Sequence, residues 1–411
     1  MAFDYDAIIC GAGAAGLMAA IHAAERGRRV LLLEKGKKPG VKILMSGGTR
    51  CNITHDCDAR GIVAAFGPNG KFLHSALAAL GPRETIAFFE AESVATKVEE
   101  TGKIFPVSDR AVDVLDALLR RLVRSGAVLA LNEPVRSILP HPEGGFQVAL
   151  NSRSLTAAKV LITTGGRSYP GCGTTGDGYG FAHAFGHTVL PQRPALVPVT
   201  VQPPWIGELR GITIPDANLK VLGPEGKPLD ARRGSMLFAH FGLTGPAPLD
   251  VSRTISGHSE PTKLTLEIDL LPGEQETAFD EFLRLDTAAN GKQLLAGVLA
   301  AKIPRRLADQ LLAACGLPVD RKAAALSKPD RQRLAAAVKR LRLPVRGTLG
   351  FEKAEVTAGG VSLDEVDSRT MQSKKAPGLY FAGEVLDLDG WIGGYNFQSA
   401  WSTGWLAGRE V

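Results

Sequence analysis

Apolar runs alternate with glycine-rich breaks along the first part of the chain, and the period of the apolar positions changes from one run to the next. Residues 6–10 and 29–33 are continuous apolar stretches of strand length, and the alanine-rich stretch between them, starting near Ala14, carries the helical period. Residues 36–56 are rich in glycine and predict a long loop. Helical spacing returns at 71–80, 83–92 and 110–125, and short strand patterns follow at 128–131, 135–139, 146–151 and 160–164. From about residue 194 the pattern shifts to proline-punctuated strands at 196–201, 218–222 and 263–269. It then turns helical over 275–343, with apolar residues at helical spacing in 291–301, 305–314 and 331–341. Strand patterns come back at 354–359 and 378–381. The prediction is an α/β protein in which a first domain (1–193) is interrupted by a β-rich module (194–274) and a helical module (275–346), and is completed by residues 347–411.

The first strand–helix–strand unit carries specific chemistry. Gly11 permits the sharp exit from the strand, Gly13 lets backbone approach a pyrophosphate, and Gly16 lets the helix pack closely on the sheet. The helix beginning at Ala14 aims unpaired N–H groups and the positive end of its dipole at phosphate, and Glu34 ends the second strand where an acid can bind a ribose. A merely glycine-rich turn would not bring the flanking strands and the acid with it, so the unit predicts an adenine dinucleotide. A second spacing of this type, Gly171, Gly173 and Gly176, fails on context: Tyr169-Pro170 stands where a strand is needed, and no acid follows at about twenty residues.

With 411 residues, 45% hydrophobic and 22% charged, the chain has material for two or three cored domains and is not disordered. The apolar run 7–21 is no secretory signal, since Asp4 and Asp6 replace a basic region and three glycines interrupt it. No other segment approaches a membrane span of about twenty apolar residues, and the expected location is the cytoplasm. Five cysteines (10, 51, 57, 172, 315) without a CxxC suggest neither a disulfide scaffold nor a zinc site. Cys51 and Cys57 have five residues between them where the redox pair of disulfide reductases has four, which argues against that chemistry. His183 and His187 could share a helix face, but no third ligand lies near in sequence, so both are read as structural and no metal is expected.

Three further segments separate a flavin from a nicotinamide cofactor. Residues 40–54, GVKILMSGGTRCNIT, bring Lys42 and Arg50 together with backbone donors at Ser46, Gly47 and Gly48, a loop able to cradle a second part of a large cofactor. Residues 159–166, KVLITTGG, form an apolar strand ending at Thr164-Gly165, which is how many flavin domains close over the adenosine half. Residues 378–404 give a strand, then Gly383-Glu384, then a glycine-rich turn opening a helix near Asn396. In flavoproteins of the two-dinucleotide type, an acid so placed binds the ribityl chain, and the helix dipole stabilises negative charge on the reduced ring. The strand series 128–164 resembles the meander of such domains, in which the backbone of a residue like Val135 flanks the adenine.

The motifs SGGTRCNIT, TTGGRSYPGCGTTGDGYG, FAHFGLTGPAPLDVS, AEVTAGGV and FAGEVLDLDGWIGGYNFQSAW together resemble the BaiN/RdsA family of FAD-dependent oxidoreductases, over nearly the whole chain. The resemblance implies a Rossmann-like FAD-binding domain interrupted by a β-barrel-like module and a helical module. It implies that Gly11, Gly13, Gly16, Glu34 and Lys35 hold the adenosine and pyrophosphate, that Lys42, Ser46, Gly47, Gly48, Arg50, Cys51 and Asn52 line the flavin side, and that Glu384, Gly394 and Asn396 complete it. Thr49 departs from the family, which often has glycine there, and a threonine tolerates positive φ poorly. The family's activities include reduction of an activated C=C bond in bile-acid intermediates, dihydrouridine formation in large-subunit ribosomal RNA, and oxidation of a small amine, with NADPH or NADH as the expected donor for the reductions. Cys51, beside Arg50, is a candidate proton donor with a tuned pKa; the alternative is a small residue packed against the flavin.

Charge bears on the substrate. Residues 320–346 hold nine basic residues and two acids against a net charge of +6 for the chain, so the rest is near neutral. Such basic helices (321–346) could meet RNA phosphates, or could be a solvated surface beside a small-molecule site. A flavin-bearing binding module with structural FAD is the reading from outside enzymology. The sequence is silent on oligomeric state.

Overall fold

The computed structural model describes residues 3–411. The chain forms two compact units, Met1–Arg193 with Glu355–Val411, and Pro194–Ala354, each with its own apolar core.

The first unit is built on a seven-stranded sheet. Val128–Leu131, Val30–Glu34, Tyr5–Cys10 and Ser154–Ile162 run parallel in that spatial order, with Phe146–Ala149 and Ser137–Pro140 added antiparallel, and Leu379–Phe381 parallel to Ser154–Ile162. The register sets Ala7 against Val30, Ile8 against Val160 and Phe381 against Ile162. Residues 7–10 are buried throughout, which is why the strand reads as an unbroken apolar run rather than an alternation. The last strand comes from the end of the chain, in the segment Glu355–Val411 that belongs to this unit.

Two helices lie side by side on this sheet's core. A Cβ on Gly404 would run into the carbonyl of Ala15, and one on Gly408 would lie 2.6 Å from the carbonyl of Ala19. Two glycines one turn apart thus let the C-terminal helix (Tyr395–Glu410) pack backbone to backbone on the first helix (Ala14–Glu25), in parallel. Gly404 sits nine residues into its helix and Ala15 one residue into the other, so the two N-termini are offset by about 12 Å along a common direction.

A buried staple closes the lower part of this unit. Ser373 Oγ accepts from the N–H groups of Lys375 (3.0 Å) and Ala376 (2.8 Å), so its own hydrogen goes to His187 Nε2 at 2.7 Å, while His187 Nδ1 lies 3.4 Å from Glu365 Oε2. Burial holds the His187 imidazole below its ordinary pKa, despite the opposing pull of Glu365. Burial pushes Glu365 upward, but hydrogen bonds from Lys375 and from Thr188 outweigh it and hold the carboxyl at about 2. Both shifts have the same sign for stability. Between the unfolded pKa and the lower folded one, the unfolded state binds more protons, so stability falls as pH drops. The thermal midpoint is therefore expected to decline from about pH 6.5 downward through His187, and further below about pH 4.5 through Glu365. His187→Gln should flatten the first limb in a pH series of melts; an unchanged slope there would show that the imidazole is not its source.

The second unit holds a closed barrel of six strands in the order Val199–Val201, Gly242–Thr244, Pro228–Ala239, Thr213–Leu222, Thr265–Asp269 and Leu341–Thr348. The last strand corrects the expected module boundary. It follows the helices in sequence yet closes the barrel, pairing Leu266 with Leu343 and Val201 with Val345. The helices Glu276–Ala289, Leu295–Leu299, Arg305–Ala314 and Lys328–Lys339 share one core with the strands, and this unit ends at Ala354 rather than 346.

The basic run is also corrected. It makes one α-helix, Lys328–Lys339, and part of a barrel strand. Six of its nine cations face acids: Arg321 and Arg333 meet Asp330, Arg331 meets Asp280, Lys339 meets Asp269, Arg340 meets Glu276 and Arg342 meets Glu267. Four of those five acids come from residues 267–280, outside the run itself, so the excess charge read along the sequence is largely cancelled in space.

Candidate cofactor site

The glycine turn has the geometry its spacing predicts. Gly11 takes φ +109°, and a Cβ there would come within 2.6 Å of the Thr163 carbonyl, while one on Gly16 would overlap the Gly11 carbonyl. A Cβ on Gly13 would meet nothing within 4 Å. The first two glycines are therefore required by the fold, and the third keeps open space at the start of the helix at Ala14, whose first N–H groups no side chain caps. That is a cradle shaped for an anion.

The Glu34 carboxylate is held by backbone donors at the end of its strand. Its Oε2 accepts from Ala12 N–H at 3.1 Å and its Oε1 from Gly36 N–H at 2.8 Å, which fixes the carboxylate and leaves each oxygen with capacity for another donor. Glu133 N–H bonds the Glu34 carbonyl at 3.0 Å and Asn132 N–H bonds that of Gly36, so the segment leading to Val135 is tied to the end of the same strand. Lys35 turns elsewhere: its Nζ is 2.5 Å from both Thr175 Oγ1 and Asp177 Oδ2.

Residues 40–52 are more ordered than the predicted loop. Val41–Thr49 contains a helical turn, broken at Ser46, and Gly47, Gly48 and Thr49 then follow in left-handed conformation (φ 56°, 68° and 69°). Thr49 accepts the positive φ that the family's glycine would take without strain, and Cys51 has φ 62° as well. Arg50 does not face the thiol beside it. Its Nη1 lies 2.6 Å from Glu99 Oε1, and its guanidinium sits 3.9 Å over the Phe105 ring. Cys51 is fully buried, and burial pushes its thiol up to about 12, against a small opposing effect of Ser46. The expected tuning by Arg50 is absent, and the thiol occupies the position of a packed residue. Asn52 is buried, with Oδ1 near the backbone of Gly394 and without a hydrogen-bond partner among the described residues.

Lys42 and Glu384, 342 residues apart in sequence, meet at 2.6 Å. Glu384 Oε1 also accepts from Ser168 Oγ at 2.7 Å and Thr357 N–H at 3.0 Å, and Lys42 Nζ donates to Ser168 at 2.7 Å. Thr357 Oγ1 takes the N–H groups of Arg167 and Ser168. Ser168 and Thr357 were not among the sequence-derived site residues; both lie inside motifs that were noted, SYPG and VTAGG. Thr163, the residue before Thr164-Gly165, donates its hydroxyl to the Gly11 carbonyl at 2.8 Å. The Gly383 N–H is taken by Thr403 Oγ1 at 3.0 Å. Gly394 starts the C-terminal helix at φ +96° with no side-chain cap. Asn396 spends its amide on the turn before the helix, accepting from Gly390 N–H and donating to the carbonyls of Gly390 and Trp391, so its backbone rather than its side chain faces the helix end.

An uncapped helix N-terminus beside an oriented acid and an open glycine, and a second uncapped N-terminus about 12 Å further on, together suit an elongated dinucleotide and define a Rossmann-type flavoprotein domain. The chain belongs to the HI0933-like family, the BaiN/RdsA group: the family description "HI0933-like protein Rossmann domain" matches residues 5–410. It is an FAD-dependent oxidoreductase, an enzyme. It is 38% identical over 410 residues, 99% of this chain and 98% of the relative, to a ribosomal RNA dihydrouridine synthase of Escherichia coli K12. The corresponding Haemophilus influenzae enzyme is 34% identical over 98% of both chains, and a 3-dehydro-bile acid delta(4,6)-reductase of Clostridium scindens 32% over 98% of both. Among solved structures, a 3-ketosteroid-delta4-(5alpha)-dehydrogenase from Rhodococcus jostii RHA1 shares the fold, with TM-score 0.56 and 15% identity over 100% of this chain and 97% of the other. No helix among the described residues is long and apolar enough to cross a membrane.

Proposed function

We propose that this enzyme is an NAD(P)H-driven reductase that saturates an activated carbon–carbon double bond, with uridine in large-subunit ribosomal RNA as the substrate. The observation that carries the substrate is the end-to-end similarity to two ribosomal RNA dihydrouridine synthases. The residues at the site fit FAD: the open face of Gly13, the oriented Glu34 and the two offset helix N-termini are what a long, doubly charged dinucleotide needs. When bound and reduced, FAD supplies a hydride for the electron-poor carbon of the substrate, with NADPH or NADH as the electron source.

The chain's own residues bind and hold charge. The first helix receives the pyrophosphate, Glu34 takes the ribose, and the uncapped start of the C-terminal helix places positive potential where reduction builds negative charge, while Lys42 holds the Glu384 carboxylate in place. The neighbouring carbon needs a proton, and the sealed, protonated Cys51 is poorly placed to exchange one with solvent. Cys51→Ala is therefore expected to keep turnover within about threefold of wild type; a loss near the 100-fold or more typical of a missing general acid would restore the thiol to that role.

Expression in a bacterium lacking its own family member, followed by mass spectrometry of large-subunit ribosomal RNA, tests the substrate. Restored dihydrouridine supports the proposal. Its absence, with the protein folded and yellow, rejects it. One observation favours a second reading, a small enone as in the bile-acid reductase: six of the nine cations in the basic run are paired with acids, so it offers RNA less free charge than its sequence suggests. Bleaching of the flavin by NADPH or NADH would identify the donor in either case.

A further inference from the structure

The second glycine spacing, rejected above as a nucleotide-binding turn, is left without a role by the proposed function. Its loop, residues 167–177, touches four side chains or segments expected around the cofactor. At one end Ser168 is bound by Lys42 and donates to Glu384. In the middle Cys172 Sγ approaches Met45 Sδ at 3.0 Å, against the helical turn Val41–Thr49. At the other end Thr175 and Asp177 take the Lys35 ammonium, each at 2.5 Å, and Thr175 Oγ1 also bonds Asp177 Oδ1 at 2.7 Å. The loop thus runs from the ribityl acid, Glu384, to the residue after the ribose acid, Glu34. Its shape depends on left-handed backbone at Tyr169, Gly173 and Gly176, and Thr174 Oγ1 braces it by donating to the Ser168 and Tyr169 carbonyls.

We propose that residues 167–177 form a second wall of the FAD site, and that the Lys35–Asp177 pair is the latch that sets how long the cofactor stays bound. This rests on the FAD assignment above. Lys35 then acts by holding the wall at the adenosine end rather than by touching the adenosine. The pair is partly exposed, 30% for Lys35 and 41% for Asp177, so its contribution is modest and sensitive to salt. Burial acts to raise the Asp177 carboxyl, but hydrogen bonds from Lys35 and Thr175 and the charges of Lys35 and Arg136 outweigh it and keep it below the usual range; the latch stays charged at neutral pH.

The test is the rate of FAD release from the holoenzyme, followed by the rise of free-flavin fluorescence at low and high salt. Asp177→Asn is expected to speed release about fivefold at low salt and little at high salt, with a matching loss of the salt dependence seen in wild type. The exchanged pair Lys35→Asp with Asp177→Lys should restore slow release. Release at the wild-type rate in Asp177→Asn overturns the proposal, as does faster release that the exchange leaves uncorrected, since a general loss of structure rather than a latch would then be the cause. A wild-type protein that binds no FAD overturns the cofactor assignment itself.

Discussion

Gly13→Val is expected to give a folded protein that does not retain FAD, whereas Gly16→Val is expected not to fold stably. The two positions are three residues apart and share one motif, yet their surroundings differ. A side chain at Gly13 enters open space, at φ −82°, which valine can adopt; the cost to the apoprotein is limited to a poorer helix cap, about 1 kcal/mol or less. The same side chain fills the cradle and separates phosphate from the helix N–H groups. Each charge-assisted bond lost is worth about 1.5–3 kcal/mol, so FAD affinity should fall on the order of 100-fold or more. At Gly16 the Cβ overlaps the Gly11 carbonyl and lies 2.8 Å from Thr163 Oγ1. Neither neighbour can yield, because Thr163 is itself bonded to that carbonyl, and overpacking of about 3 kcal/mol or more follows. The ratio of flavin to protein absorbance, together with melts of the apoproteins, separates the two cases. Full flavin occupancy in Gly13→Val would remove the glycine turn from the cofactor site.

The second large effect is expected at Glu384. Its carboxylate accepts from Lys42, Ser168 and Thr357 N–H, joining three distant stretches of chain. Glu384→Gln replaces one oxygen by an amide that cannot accept, and leaves the Lys42 ammonium without its counter-charge. A fully buried pair broken in this way costs about 3–5 kcal/mol. Here the side chains are 27% and 17% exposed, and screening brings the expectation to roughly 2 kcal/mol, a fall in thermal midpoint of about 5 °C. Lys42→Met should cost less, because Glu384 keeps two neutral donors. The double variant should be less destabilised than the sum of the singles. FAD affinity should fall in the same order. Additive losses would mean that the two side chains do not act as a pair.

The part of this enzyme legible in its sequence is the part whose physics is local. The period of apolar residues gave the helix 305–314 with the ends observed, and the helix 110–125 to within one residue. The glycine turn was legible because Gly11 and Gly16 answer constraints from the motif itself or from one neighbouring strand. Glu34 followed from its place at the end of a strand.

Other features came only from the tertiary structure. Lys42 and Glu384 were both named for the site, but their contact closes 342 residues of chain, and Ser168 and Thr357 gained meaning only as the groups that hold Glu384. Arg50 stands next to Cys51 in sequence, yet left-handed backbone at Cys51 and the pull of Glu99 and Phe105 carry the guanidinium away. The strand Leu341–Thr348 begins inside the stretch read as helical, 275–343, and nothing local marks it as the strand that closes a barrel begun at Val199. The run of positive charge at 320–346 looked like a binding surface because four of the five acids it meets lie 51 to 75 residues before their partners. The sequence by itself determined the strand–helix–strand unit at the start of the chain, several helices and the dinucleotide turn, which depend on periods and on contacts within a few residues; the tertiary structure decided which charges cancel and which distant residues meet, because electrostatic pairing depends on distance in space, and that is set only when the strands have been ordered.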